Sequence, residues 1–163
     1  MSEPVEIGEI DVLGNIGHGA DASYVRMATV NDFNRDLIEE FRSNNGKVTG
    51  IFENAPLVLL TTTGAKTGQQ RTSPVVYTRD GDNVVVIASK GGAPAHPHWY
   101  LNLVANPEVT VELPGETYRA RARVAHGEEW NRLFRAQADA MPNFDAYQRK
   151  TDREIPVVVL ERA

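Results

Sequence analysis

Between Pro56 and Ser89 three extended runs follow one another with only short turns between them. Pro56–Thr63 is an apolar run rich in leucine and threonine. A glycine-bracketed loop, GAKTGQQR (Gly64–Arg71), leads into Arg71–Arg79, which alternates loosely. Asp80-Gly81-Asp82 is a tight turn. Asn83–Ser89, NVVVIAS, is a near-continuous β-branched run that suits a strand buried on both faces. Pro74–Ser89 therefore reads as a β-hairpin.

The rest of the chain fits around these strands. Thr29–Asn45 reads as a helix with Phe33, Leu37, Ile38 and Phe41 on one stripe. Thr29 and Asp32 resemble a capping pair at its start, and Asn45-Gly46 is a stop. Lys90-Gly91-Gly92 breaks the buried strand, and His96–Ala105 follows as a short helix, with Pro97 in the first turn. Glu108–Leu113 and Thr117–Ala125 make a second hairpin about Pro114-Gly115, in which Arg119, Arg121 and Arg123 imply one wet face. Gly127–Ala140 is a helix with Trp130, Leu133, Phe134 and Met141 on one stripe. Asn143–Asp152 is irregular or a short helical turn, and Ile155–Glu161 is a closing strand. A doubly wound parallel sheet would alternate strand and helix throughout. This order implies instead a mainly β, α+β chain: an antiparallel barrel of about six strands with helices at its corners. Residues 1–28 show no sustained periodicity and read as a mobile leader; residues 29–163 read as one domain.

Composition narrows the function. A net charge of −5 over 163 residues argues against general nucleic-acid binding, which needs a surplus of cations. It leaves room for a local anion site. With no cysteine, disulfides, thiolate chemistry and cysteine-based metal sites are excluded. No run of about 20 apolar residues spans a membrane. The acidic N-terminus lacks the form of a signal peptide, so the cytoplasm is the default, with peripheral membrane contact left open.

Three stretches can carry chemistry. The first is Gly64–Arg71. It has the glycines, lysine and threonine of a phosphate-binding loop, but the lysine precedes the second glycine and a strand follows, so it is not the nucleotide-binding pattern. A plain surface turn explains it as well. The second is Ala88–Gly92, ASKGG, where the glycines permit close approach or positive φ. In a hairpin, Arg71–Pro74 and Ser89–Gly92 fall at the same end of the sheet, which makes a cationic corner of Lys66, Arg71 and Lys90. The third is Pro97–Asn102, PHWYLN, an aromatic pair opening a helix beside that corner; packing in the core is the alternative. His96 and His98 are too poorly spaced for one helix face, and no metal site is expected. No serine sits in a nucleophile elbow.

LLTTTGAKTGQQRTSPVVY, ASKGG, HPHWYLNLVANPEV and YQRKTDREIPVVVLE, in this order, resemble the deazaflavin-dependent nitroreductase family of actinobacteria, over roughly Pro56 to Glu161. The resemblance implies a split β-barrel oxidoreductase that uses the reduced 8-hydroxy-5-deazaflavin coenzyme, F-420, and transfers hydride to an electron-poor acceptor such as a quinone or nitroaromatic. It implies that Lys66 and Arg71 bind the anionic end of the coenzyme, with Ala65, Thr67, Thr72, Ser73, Pro74, Val75 and Val76 alongside. Ile87, Ala88, Ser89 and Lys90 would line the ring. His98, Trp99, Tyr100, Leu101 and Asn102 would complete the site, and Phe144 and Tyr147 would cover it. Ser89 and Tyr147 are the candidate hydrogen-bond donors to charge developing on the acceptor. Some members carry several tyrosines in the late segment; here Met141 and Phe144 stand there and only Tyr147 keeps a hydroxyl. An FMN-dependent split-barrel oxidoreductase and a non-catalytic deazaflavin carrier are the alternatives, and a homodimer is compatible with the class.

Overall fold

The computed structural model describes residues 30–163. The leader expected over 1–28, and the capping pair expected of Thr29 with Asp32, lie outside the described residues and side chains. Six strands close into one antiparallel barrel: β1 (Leu57–Thr63), β2 (Gln70–Asp80), β3 (Asn83–Ile87), β4 (Glu108–Leu113), β5 (Glu116–Val124) and β6 (Val157–Arg162). Around the barrel they run β1-β2-β3-β6-β5-β4, and β4 pairs back onto β1. The helix α1 (Val30–Ser43) precedes the barrel, α2 (His98–Ala105) lies between β3 and β4, and α3 (Gly127–Ala140) and α4 (Asn143–Lys150) lie between β5 and β6. Among the described residues no helix is long and apolar enough to cross a membrane.

Period-two alternation decides which side chains fill the barrel. Val58 and Leu60 of β1, Val84 and Val86 of β3, Val109 and Val111 of β4 and Val158 and Leu160 of β6 form one buried cluster, which Trp99 and Leu103 of α2 join. Their neighbours face outward and are covered. Leu57, Leu59 and Val76 pack under Leu37 and Phe41 of α1. Val85, Ile87, Val157 and Val159 pack under Leu133 and Phe134 of α3 and Phe144 and Tyr147 of α4. Burial on both faces is why β1, β3 and β6 read as near-continuous apolar runs. β5 is covered on one side only: Ala120 is buried, whereas Arg119, Arg121 and Arg123 are exposed and ion-paired with carboxylates.

Several boundaries differ from the sequence expectation. The strand expected over Asn83–Ser89 ends at Ile87; Ser89 is already helical, at φ −79 and ψ −37. The helix expected from His96 begins at His98, because Pro97 adopts an extended ψ of 153 at the N-cap. The closing strand starts at Val157 rather than Ile155. Asn143–Asp152, expected to be irregular or a short helical turn, holds a helix of two turns over Asn143–Lys150; Asp145 in its first turn and Arg149 and Lys150 in its last suit the helix dipole.

The most consequential difference lies in the first hairpin. β1 and β2 pair over seven positions, from Leu57↔Val76 to Thr63↔Gln70. β2 and β3 pair over only four, from Tyr77↔Val86 to Asp80↔Asn83. Beyond Tyr77 the barrel wall is split: Gln70–Val76 keeps its β1 partner and has none on the other side. The Tyr77 N–H donates to Pro56 O on the β1 side, at 3.0 Å. Since successive amides alternate, the Thr72 and Val76 N–H groups point into the opening. Pro74 occupies the amide position between them, where a strand edge tolerates a missing donor.

Leu60→Ala, at the buried centre of the barrel, should cost about 2–5 kcal/mol in urea denaturation. Arg121→Ala, on the wet face, should stay within about 0.5 kcal/mol. Similar losses at the two positions would contradict the inside–outside assignment of the strands.

Candidate functional site

The loop Gly64–Gln69 caps the β1–β2 ladder beside the split. It is closed on itself: Gly64 N–H donates to Gln69 O (2.7 Å), Gly68 N–H to Gly64 O (3.0 Å), and Gln69 N–H to Thr67 Oγ1 (3.2 Å). It is also tied to α2. Asn102, buried, donates from Nδ2 to Thr62 Oγ1 at 3.1 Å and accepts the Ala65 N–H at Oδ1 at 3.0 Å. Asn102 thus braces the loop. Ala65, Lys66 and Thr67 stand exposed on it, and Arg71 and Thr72 are half-buried where β2 leaves it. Thr72 Oγ1 lies 2.8 Å from Thr61 Oγ1, a cross-strand hydroxyl pair.

The other lip of the split is Ala88–Ala93. Ser89 is fully buried, Lys90 is half-buried at φ +50, and Gly92 has φ +83. A Cβ on Gly92 would stand 2.7 Å from Tyr147 O and 3.0 Å from Tyr147 Cα, so α4 rests directly on this turn. The close approach predicted for the glycines is made here, and it brings the late aromatic segment against ASKGG. Phe144 and Tyr147 meet edge to face, with ring centroids 5.3 Å apart. Both are buried, and so is the Tyr147 hydroxyl.

The expected site residues do not all face one way. Ser73, Pro74, Val75 and Val76 are buried, but Val75 points into the barrel and Val76 under α1. Ala88 points into the barrel and Ile87 under α3 and α4. Trp99 is in the interior cluster, and its Nε1 is buried with no hydrogen-bond partner. Tyr100 is half-buried, while His98 and Leu101 are exposed. The structure thus has Lys66 and Arg71 on the β2 side of the split and Ser89 and Lys90 on the other, with Tyr147 packed against that turn, Trp99 inside the barrel and Tyr100 half-buried on α2.

Arg153 has no counterpart among the residues expected from sequence. Its guanidinium donates from Nε to Ala93 O (2.9 Å), from Nη1 to Ala88 O (3.2 Å) and from Nη2 to Ser89 O (2.7 Å). Nη1 also lies 3.0 Å from His96 Nδ1. An arginine only donates, so Nδ1 accepts and the neutral ring carries its proton on Nε2. Burial, then the Arg153 charge, lowers the His96 pKa below its ordinary value. The ring leans on Tyr100 at 4.8 Å, and burial raises the Tyr100 pKa against the opposing pull of Arg153. The only sequence signal was the place of Arg153 in TDREIP; a contact spanning some sixty residues leaves no local pattern.

The lowered pKa sets a pH dependence. Below the ordinary histidine value of about 6.5, the unfolded chain takes up a proton that the folded ring resists, so stability falls as pH drops and levels off once the folded value is passed. His96→Asn, whose Oδ1 can still accept from Arg153, should lose less thermal stability than the parent between about pH 7.5 and pH 5. An equal loss would assign the acid sensitivity to other groups.

Residues 33–162 match the family model described as F420H(2)-dependent quinone reductase. Over 126 residues, 75% of this chain and 85% of the relative, the sequence is 41% identical to an F420H(2)-dependent quinone reductase of Mycobacterium tuberculosis (strain ATCC 25618 / H37Rv). A solved structure described as an F420-H2 dependent reductase (FDR-A) is 42% identical, with a TM-score of 0.61, over 65% of this chain and 94% of that one. Another, described as a domain-swapped dimer, is 36% identical, with a TM-score of 0.64, over 82% of this chain and 100% of that one.

Proposed function

The chain belongs to the F420H(2)-dependent quinone reductase family, and from that premise we propose that the split between β2 and β3 is where it holds reduced coenzyme F-420 and reduces a small electron-poor acceptor. The observation that carries this is the four-pair ladder of β2 with β3, which leaves Gln70–Val76 facing Ala88–Gly92 across an opening. The residues there suit a ligand with an anionic end and a flat ring. The rim carries Lys66, Arg71 and Lys90, and the Thr72 and Val76 amides of β2 face it.

The coenzyme, when bound, supplies the hydride. The chain supplies binding and orientation. Lys66 and Arg71 meet the phosphate and acidic tail with charge-assisted hydrogen bonds. Ala65, Thr67 and the Thr72–Val76 edge add backbone contacts, and Asn102 keeps the loop in place. The main chain of Ile87–Lys90 and the side chains of His98, Tyr100 and Leu101 form the walls about the ring, with Trp99 and Phe144 packed behind them. Ser89 and Tyr147 are the proposed donors to negative charge developing on the acceptor. Their hydroxyls lie in dry surroundings, where such a hydrogen bond is worth more than in water. Quinones are the leading acceptors and nitroaromatics the second class, since Tyr147 is the one hydroxyl that the late segment keeps among Met141, Phe144 and Tyr147. A homodimer is the proposed assembly, supported by the related structure described as a domain-swapped dimer, and the cytoplasm is the proposed compartment.

Lys66→Ala and Arg71→Ala should each weaken coenzyme binding by about 1–3 kcal/mol, read by quenching of deazaflavin fluorescence. Unchanged affinity in both would remove the phosphate assignment. Purified protein mixed with the reduced coenzyme should oxidise it when quinones are added, with FMN failing to compete. Binding without turnover across a panel of quinones and nitroaromatics would instead identify a coenzyme carrier.

A further inference from the structure

Arg153 stands outside every role assigned above, yet its guanidinium has four polar partners at one lip of the split. Its fork reaches the carbonyls of Ala88, Ser89 and Ala93 and the Nδ1 of His96. Those acceptors bracket the turn that carries Lys90 at φ +50, a conformation that persists in a non-glycine residue only when its surroundings enforce it. Arg153 is itself anchored. Gln148 of α4 donates from Nε2 to Arg153 O at 2.8 Å and accepts the Ile155 N–H at Oε1 at 2.9 Å. The chain leading into β6 is thus fixed before its guanidinium fixes the lip of the split.

We infer that Arg153 is a positioning residue for the reaction: it holds the main chain from Ala88 to Ala93 in the shape that presents Ser89 and Lys90 to the coenzyme's ring, and it fixes His96 as the Nε2–H tautomer. This rests on the reading that the ring lies against Ile87–Lys90. A lysine at this position keeps the charge, but a single ammonium cannot reproduce a planar fork aimed at three carbonyls. Loss of the fork therefore displaces the ring wall while leaving the phosphate loop untouched.

The test compares two ligands and two variants. One ligand is the full coenzyme; the other is its deazaflavin riboside fragment, which lacks the phosphate and acidic tail. Arg153→Lys should raise the dissociation constants of both by the same factor, about tenfold, and slow single-turnover hydride transfer by up to about 10²-fold, as expected for misplacement on the order of 1 Å. Lys66→Ala should weaken only the full coenzyme. Two readouts need no ligand. Hydrogen exchange at the Gly92 and Ala93 amides, which bond to Ser89 O and Lys90 O, should speed up in Arg153→Lys, and the imidazole ¹⁵N shifts of His96 should lose their Nε2–H signature. Should Arg153→Lys fail to fold, Gln148→Leu, which removes the brace beneath Arg153, should show the same pattern in weaker form. Riboside affinity and transfer rate equal to the parent's in the folded variant would overturn the inference, as would unaltered exchange at the two amides. If the parent binds neither ligand, the coenzyme reading fails, and the inference with it. If the parent binds both ligands and the variant is unaffected, only the inference fails.

Discussion

The ladder between β2 and β3 stops after four pairs, and the site region follows from how the chain deals with that. A closed barrel has no edges, whereas an interrupted one exposes main-chain donors and acceptors that need partners. The two lips use opposite devices. On β2, Pro74 removes a donor from the edge. On the β3 side, the Ala88 N–H is turned to β6 and donates to Pro156 O at 2.9 Å, while Ile87 O, which faces β2 by the same alternation, accepts the Ser89 N–H at 2.9 Å. One lip loses a donor to a proline ring, and the other turns its last outward carbonyl back onto its own chain. The opening stays unpaired by strand without becoming an aggregation edge.

The split also explains what the sequence could reveal. Two-sided burial writes itself into local composition, so β1, β3 and β6 stood out as apolar runs, and one-sided burial made the wet face of β5 legible through Arg119, Arg121 and Arg123. Helix stripes were equally local: Leu37 and Phe41 of α1, and Leu133 and Phe134 of α3, bury as their spacing implies. Where β3 parts from β2 is not local. β3 stays in register with β6 through Ile87↔Val157, and it is this distant partner that draws its end away from β2. Hairpin geometry alone put Pro74 beside Ser89. It had the right end of the sheet and could not foresee that the ladder would not reach.

The site residues divide in the same way. Lys66, Arg71 and Lys90 could be singled out because cations beside glycines in turns are visible in any window of sequence. The contacts of Asn102 and Arg153 could not be, since each reaches across tens of residues: Asn102 to Thr62 and Ala65, Arg153 to Ala88 and His96. Alternation adds a further limit. A continuous stretch such as Ile87–Lys90 reads as one wall, yet neighbouring side chains of a strand point to opposite faces, so Ala88 enters the barrel and Ile87 packs beneath α3 and α4.

A chain of net charge −5 can hold an anion if its cations are unevenly committed. Among the described residues, Arg42, Arg119, Arg121, Arg123, Arg132, Arg135 and Arg162 are ion-paired with carboxylates. These pairs neutralise one another at short range, and exposed pairs of this kind contribute little to stability. No carboxylate of the described residues pairs with Lys66 or Lys90. At physiological ionic strength the field of exposed charges decays over about 8 Å, so the acidic surplus elsewhere is largely screened from the loop. The charge around the loop is therefore set locally: Lys66 on one lip of the split, Lys90 on the other, Arg71 where β2 leaves the loop, and the Thr72 and Val76 amides turned toward the gap by the parity of β2.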